Sequence, residues 1–291
     1  MNEFLARYEV FKRNVISTFK EENSSYKQGI TKFSDLTQQE FKKIYLNLDY
    51  NALAFANFVP YIFNSKNSAP NSWDWREQGY VPPVKDQGSC GSCWAFVTIE
   101  ILESMYYKVK NVYVPFSVQL LIDCDTYDSG CNGGLMENAF TWLKQNGIMK
   151  EQDYPYTGKK GTCRKDPSKY IDMKVTGYKK LGPSSSTWSP VDDELKEFLY
   201  ETGILSAALN ADPLQTYTGG ILDVNSSLCP ASGINHAVVI VGYGQAGGKD
   251  YWIVKNSWGK NWGESGYFRI KRGSGTCGIN SYIIIPLVKF E

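Results

Sequence analysis

Histidine occurs once in these 291 residues, at His236. A zinc shell built from several histidines is therefore excluded, and proton transfer by imidazole near neutral pH has a single candidate. Charge of one sign is also lacking: Lys plus Arg is 31 and Asp plus Glu is 30, so no overall bias draws the chain to nucleic acid or to anionic lipid. Long apolar runs are absent. The longest, such as Ala237 to Val241 and Tyr282 to Ile285, are far too short to span a bilayer, which argues against membrane insertion. Met1-Asn2-Glu3-Phe4 opens a polar amphipathic stretch without the apolar core of a signal peptide, so the numbering is expected to begin inside a longer precursor.

What is present is a globular composition, 32.8 kDa with 42% hydrophobic residues, enough for one large domain or two lobes sharing a cleft. There are seven cysteines. Six can make three disulfides and leave one thiol over, the arithmetic of an oxidising compartment with a reactive leftover, and six cysteines can pair in about fifteen ways.

Along the chain, residues 1 to 46 read as helical. Phe4, Tyr8, Phe11 and Val15 recur at three and four, and Thr37-Gln38-Gln39-Glu40 fits a capping box opening a second helix. From Asn47 to Pro70 the period dissolves, which predicts an extended linker and a boundary near Ser68 to Asn71. Trp94 to Val109 has helical spacing without Pro or Gly, placing Cys93 at the start of a long helix, whose unpaired N–H groups and partial positive charge favour thiolate. Further helices are expected over 135–145 and 192–201. The C-terminal third turns to β-rich runs at 237–242, 251–255, 266–272 and 282–287. The fold class expected is α+β, one lobe mainly helical and the other mainly β.

Two motifs suggest other chemistries and fail on context. Cys90 and Cys93 form a C-x-x-C, but no second C-x-x-C and no second histidine completes a zinc shell. Gly242 to Gly247 matches G-x-G-x-x-G, yet Asp250 to Val254 follows as a strand instead of the helix that must hold a pyrophosphate. No metal and no cofactor is expected.

The run Gln87-Gly88-Ser89-Cys90-Gly91-Ser92-Cys93-Trp94-Ala95-Phe96, with Cys131-Asn132-Gly133-Gly134, Asn235-His236-Ala237 and Lys255-Asn256-Ser257-Trp258-Gly259, resembles the papain family of cysteine proteases, nearer its cathepsin L-like branch. The likeness spans nearly the whole chain. It implies a papain-like two-lobe fold, a helical lobe and a β-barrel-like lobe with the active-site cleft between them. It also implies Cys93 as nucleophile, His236 as general base and then acid, Asn256 as the group orienting the imidazole with Trp258 shielding that bond, and Gln87 as side-chain donor to the oxyanion. A cysteine and histidine so paired would exist as thiolate and imidazolium and pass through an acyl-enzyme. The resemblance further implies the pairs Cys90–Cys131, Cys124–Cys163 and Cys229–Cys277, and a substrate groove with Gly133 and Gly134 at the backbone and Leu135, Met136, Ala208, Ile234 and Tyr282 as an apolar pocket. A tyrosine closing that pocket would favour medium aliphatic side chains.

Residues 1 to 68 resemble the family's inhibitory prosegment, helical over 1–46 and linker over 47–68, with Glu3, Arg7, Phe11 and Asn14 on one motif and Gly29, Thr31, Phe33 and Asp35 on another. The usual first helix of that prosegment is missing from this stretch. Residues 69 to 291 would be the peptidase domain. The partners implied are protein or peptide substrates and the chain's own prosegment, in a monomer of lysosome, vacuole or the secreted space, with protonation of prosegment carboxylates such as Asp35 loosening the inhibitor. Asn23-Ser24-Ser25 and Asn225-Ser226-Ser227 fit the N-glycosylation pattern. The contrasting expectation is a catalytically silent binding member of the family that retains its prosegment. The presence of Cys93, His236, Asn256 and Gln87 weighs against it.

Overall fold

The protein is described here by a computed structural model covering residues 3–18, 25–48, 68–181 and 189–291. Helix α1 (Glu3–Thr18) is followed by a short strand β1 (Tyr26–Gln28) and helix α2 (Gln38–Tyr45). The capping box is formed: the Thr37 side chain accepts from the Glu40 N–H while the Glu40 carboxylate accepts from the Thr37 N–H. Residues 26–28 are a strand, contrary to the helical expectation for 1–46. Their partner is a strand some 190 residues later in sequence, Tyr217–Leu222, and local periodicity carries no trace of it.

The helical lobe is built on α3 (Cys93–Lys110), α4 (Val118–Cys124) and α5 (Met136–Asn146). Helix α3 buries every residue from Cys93 to Ser104, and its two buried carboxylates, Glu100 and Glu103, are paired with Lys255 and Lys85. It stops where Asn111 turns into the left-handed region and donates its N–H to the Tyr107 carbonyl. The expected helices over 135–145 and 192–201 appear as α5 and α6 (Ser189–Thr202).

The other lobe is a sheet of β2 (Trp73–Asp74), β3 (Met173–Leu181), β4 (Leu205–Leu209), β5 (Tyr217–Leu222), β6 (His236–Ala246), β7 (Lys249–Lys255), β8 (Tyr267–Lys271) and β9 (Ile283–Phe290), with β1 added. Among the described residues the path runs β1-β5-β8-β7-β6-β4-β9-β3, with β2 also on β6. The β-barrel-like lobe is thus an open sheet, its two edges being β1 and β3. Strand β6 is buried from His236 to Gly244, as a central strand should be. The G-x-G-x-x-G stretch lies along β6 and ends in the Gly247-Gly248 turn leading to β7. Strands β3, β4 and β5 were not foreseen: β4 reads Leu-Ser-Ala-Ala-Leu and β5 carries a double glycine, both weak β signals.

The disulfides are Cys90–Cys131, Cys124–Cys163 and Cys229–Cys277, the pairing the resemblance implies, and Cys93 is the free thiol. No helix among the described residues is long and apolar enough to cross a membrane.

Candidate active site

Cys93 is the first residue of α3 and is fully buried. Its sulfur faces the backbone N–H groups of Trp94, on its own helix, and of Ala237, on the opposite lobe. Ala237 follows His236, the first residue of β6, so the helix start and the strand start bring the lone free thiol and the sole imidazole to the same point of the cleft.

The His236 Nε2 lies 2.8 Å from the Asn256 Oδ1. An amide oxygen only accepts, so Nε2 carries the proton and Nδ1, which makes no other hydrogen bond, is left as a base. Asn256 directly follows β7, and its backbone N–H donates to the Gly266 carbonyl at 3.0 Å. Its Oδ1 also accepts the Ser257 N–H at 2.8 Å, which fixes the amide's orientation. The Trp258 ring stacks on the imidazole at 4.7 Å.

Gln87 is fully buried in the loop before α3. Its Oε1 accepts the Ser257 hydroxyl at 2.6 Å, which turns the amide nitrogen toward the cleft. That Nε2 donates to the Cys90 carbonyl at 2.9 Å and reaches the Tyr45 carbonyl at 3.4 Å. Ser257 is a further site residue, and its place beside Asn256 in the sequence is the signal that marks it.

Tyr45, Asn47 and Leu48 cross the cleft. The Tyr45 carbonyl faces both Gln87 and the His236 ring, and the Asn47 N–H faces the Cys93 sulfur. The Leu48 N–H donates to Asn235 at 3.1 Å while Leu48 bridges Gly134 in parallel, so the chain touches both walls. Gly133 has a φ of +118°, and a Cβ there would overlap the Asn47 carbonyl oxygen, so only glycine lets this segment lie so close. The expected linker over 47–68 is therefore in contact with the site at its first two residues; 49–67 fall outside the described residues.

Burial opposes both charges of the pair. Burial pushes the Cys93 thiol up to about 11 and the His236 imidazole down to about 4, so under the N-terminal segment the pair is a neutral thiol and a neutral ring. Burial thus disfavours here the thiolate and imidazolium that the resemblance implies.

Of the expected groove residues, Gly133, Gly134 and Leu135 line a cavity of ≈ 310 Å³ together with Leu46, Asn47 and Leu48. Met136, Ala208, Ile234 and Tyr282 are buried outside its lining. The Ala208 N–H donates to the Tyr282 carbonyl at 3.1 Å, and Ile234 directly precedes the acceptor of the Leu48 N–H. Asp128, unassigned from sequence, lines the same cavity and receives the Leu135 N–H at 3.0 Å. Its burial beside Asp125 raises its carboxyl to about 8.

The N-terminal segment is held by aromatic packing. Phe33 and Phe41 are fully buried, and their rings meet Trp258 edge-on at 5.0 and 5.5 Å. Gln215 Nε2 donates to the carbonyls of Phe33 and Leu36. Ion pairs Lys32–Asp86 and Lys42–Asp212 lie at the margin, exposed and correspondingly weak.

Residues 69–287 match the family model described as papain family cysteine protease, and residues 1–41 match that of the cathepsin propeptide inhibitor domain (I29). The chain belongs to the papain family of cysteine proteases. It is 42% identical over 269 residues to a cathepsin L-like proteinase of Fasciola hepatica, covering 91% of this chain and 79% of that protein. Cysteine proteinase 15A of Pisum sativum is 40% identical over 299 residues, with 95% of this chain and 79% of that protein covered. Among solved structures, the digestive procathepsin L2 proteinase of Tenebrio molitor larval midgut superposes with a TM-score of 0.88 at 35% identity, over 98% of this chain and 93% of that one. This papain-family chain is thus a cysteine peptidase that carries an inhibitor domain in the same polypeptide, and the segment across its cleft follows shortly after the residues matched to that domain.

Proposed function

We propose that residues 1–68 are a removable prosegment, that residues 69–291 are the endopeptidase, and that Cys93, His236, Asn256 and Gln87 perform the hydrolysis. In the open enzyme His236 Nδ1 takes the Cys93 proton. The thiolate attacks the peptide carbonyl carbon, and the carbonyl π electrons move to oxygen. The Gln87 amide and the Cys93 backbone N–H receive that oxyanion. The imidazolium then gives its proton to the departing amine, leaving an acyl-enzyme, and water deprotonated by His236 attacks the thioester and restores the thiol. Asn256 positions the ring. Asn256→Ala is expected to lower kcat about tenfold to hundredfold with KM little changed, measured by active-site-titrated turnover of a peptide substrate.

The observation that carries the zymogen reading is the segment Tyr45 to Leu48 lying over the sulfur. It meets the thiol with an N–H instead of a carbonyl carbon, so it covers the nucleophile without offering a bond to cut. Incubating the full chain at neutral and at acidic pH and following mass and peptidase activity tests this: loss of roughly the first 68 residues with a rise in activity at acid pH supports it, and constant mass and activity at every pH oppose it.

Among the prosegment carboxylates, Glu40 is placed to respond to acid. The Asp35 carboxylate is exposed, and Arg7 donates to its backbone carbonyl. Glu40 is held down to about 2, first by its hydrogen bond from Arg7 and then by Thr37. A depressed carboxyl stabilises the folded prosegment at pH above its ordinary value of 4.5, and that contribution is lost as pH falls from 4.5 toward about 2. Glu40→Gln is expected to speed activation at pH 5 about twofold to fivefold, the scale of an exposed ion pair, with the difference from wild type narrowing as pH falls through that window.

Substrate selection is assigned to Leu135, Met136, Ala208, Ile234 and Tyr282, an apolar lining suited to medium aliphatic side chains, with Gly133 and Gly134 pairing the substrate backbone. A monomer on the secretory route, in lysosome, vacuole or outside the cell, is supported by three disulfides and by the exposed sequon at Asn225. Asn23 lies outside the described residues.

A further inference from the structure

Strand β1 is the only strand that the prosegment contributes among the described residues, and it completes an edge that belongs to the peptidase domain. Tyr26 pairs with Gly220 and Lys27 with Gly219. The Ile221 N–H donates to Ser25 at 3.0 Å and the Gly29 N–H to Thr216 at 2.9 Å. The Ser25 hydroxyl donates to the Ile221 carbonyl and the Thr218 hydroxyl to the Lys27 carbonyl. If the prosegment leaves, as proposed above, β5 keeps its inner pairing to β8 at Ile221 and Leu222, and Gly220 keeps its bonds to the Glu264 carboxylate and the Tyr217 hydroxyl, while the Ile221 N–H and the Thr216 carbonyl lose their partners.

Natural sheets guard such edges with charged residues, proline or a covering element. Strand β5 reads Tyr-Thr-Gly-Gly-Ile-Leu, with neither charge nor proline. Two glycines also leave its outer side low. Gly220 has a φ of +87°, and a Cβ on it would come within 2.8 Å of the Ser25 oxygen and the Tyr26 Cα, so this position is glycine where a second backbone must pass. The edge is built to receive a strand.

Its selectivity can be read from what fills it. The Tyr26 ring is buried and lies parallel to the Tyr217 ring at 6.4 Å, with Tyr217 backed by Trp262. Three residues later, a Cβ on Gly29 would press on the Thr218 methyl at 3.2 Å, a contact tighter than side chains ordinarily tolerate. The same polypeptide runs on from this edge to the nucleophile, since Tyr45 faces the catalytic residues. One chain can therefore occupy edge and cleft together.

We propose that in the processed enzyme the β5 edge, Thr216 to Ile221, is an exosite that captures extended segments of protein substrates carrying an aromatic residue followed three positions later by glycine, while a second part of the same substrate enters the cleft. This inference rests on prosegment removal. The recognition is β-augmentation with one aromatic anchor, and its gain is in effective concentration, not in chemistry.

The test uses enzyme produced by acid processing of the full chain and two fluorogenic substrates sharing one cleavable peptide. One is plain; the other is joined, through a flexible spacer as long as the Gln28-to-Tyr45 interval, to the heptapeptide Ser25-Tyr26-Lys27-Gln28-Gly29-Ile30-Thr31. The joined substrate is expected to show a KM about tenfold lower at equal kcat. Replacing its tyrosine with alanine should erase the gain, and the free heptapeptide should raise KM for the joined substrate only. Gly220→Asn, a residue tolerant of positive φ, should erase the gain while leaving plain-substrate turnover unchanged. Equal KM for the two substrates overturns the exosite, as does a gain that survives loss of the tyrosine. Turnover of the plain substrate reports the peptidase separately, and no turnover of either substrate would overturn both readings.

Discussion

Replacing Cys93 with alanine is expected to abolish peptide hydrolysis, a loss of about ten-thousandfold or more in kcat/KM, on the scale seen when a hydrolase loses its nucleophile. Cys93 is the one cysteine outside the disulfides, and it stands where the start of α3 meets the strand carrying the only histidine. No other thiol and no other imidazole can substitute. The variant should still fold, because the sulfur makes no bridge. It should retain its N-terminal segment indefinitely, and traces of wild-type enzyme should trim it to the same mass as the wild type. Mass spectrometry of both incubations, with turnover of a peptide substrate by the trimmed variant, is the check; residual activity within tenfold of wild type would remove Cys93 from the mechanism.

Phe33→Ala is expected to release the prosegment. The ring is fully buried and packs within 5 Å of Phe41, Tyr45 and Trp258, so it joins the N-terminal segment to the tryptophan that stacks on the His236 ring. Truncating a buried phenylalanine costs about 3–5 kcal/mol, and nearly all of that falls on the docked state. The full-length variant should therefore develop peptidase activity at neutral pH, where the wild-type chain stays covered, with an activation rate raised about a hundredfold or more. Activity of the two chains followed over time at pH 7 distinguishes this from a purely local role, which would leave the rate unchanged.

These two residues differ in how much the sequence says about them. The roles proposed for Cys93, His236, Asn256 and Gln87 came through resemblance, with the rarity of one histidine and one odd cysteine pointing to the first two. The disulfide pairing came through resemblance and is present in the structure. Helices α2, α3, α5 and α6 were legible because their signals are local, in the capping box of Thr37 and Glu40 and in runs free of Gly and Pro. Strand β1 was not legible, since its ladder partner is distant in sequence and Tyr-Lys-Gln has no strand signature of its own. The same holds for the contacts of Tyr45 and Asn47 with the catalytic pair. Both use backbone groups, which every residue possesses and no motif marks. Ser257 escaped assignment because its hydroxyl acts on Gln87 through tertiary contact alone.

The neutral state of the covered pair follows from the same geometry. Desolvation opposes both charges at once, raising the thiol and lowering the imidazole. Opening the cleft returns water to both groups and lets the proton move from sulfur to ring.

The rate at which iodoacetamide alkylates Cys93, measured at pH 6 on the full chain and on the processed enzyme, addresses this most directly, because the lone free thiol makes the mass increase specific to one residue. The expected result is slow alkylation of the full chain, a rise of about a hundredfold after processing, and loss of that rise in processed His236→Ala. Equal rates before and after processing, or a rise that persists without His236, would contradict a proton shared between sulfur and imidazole under a removable cover.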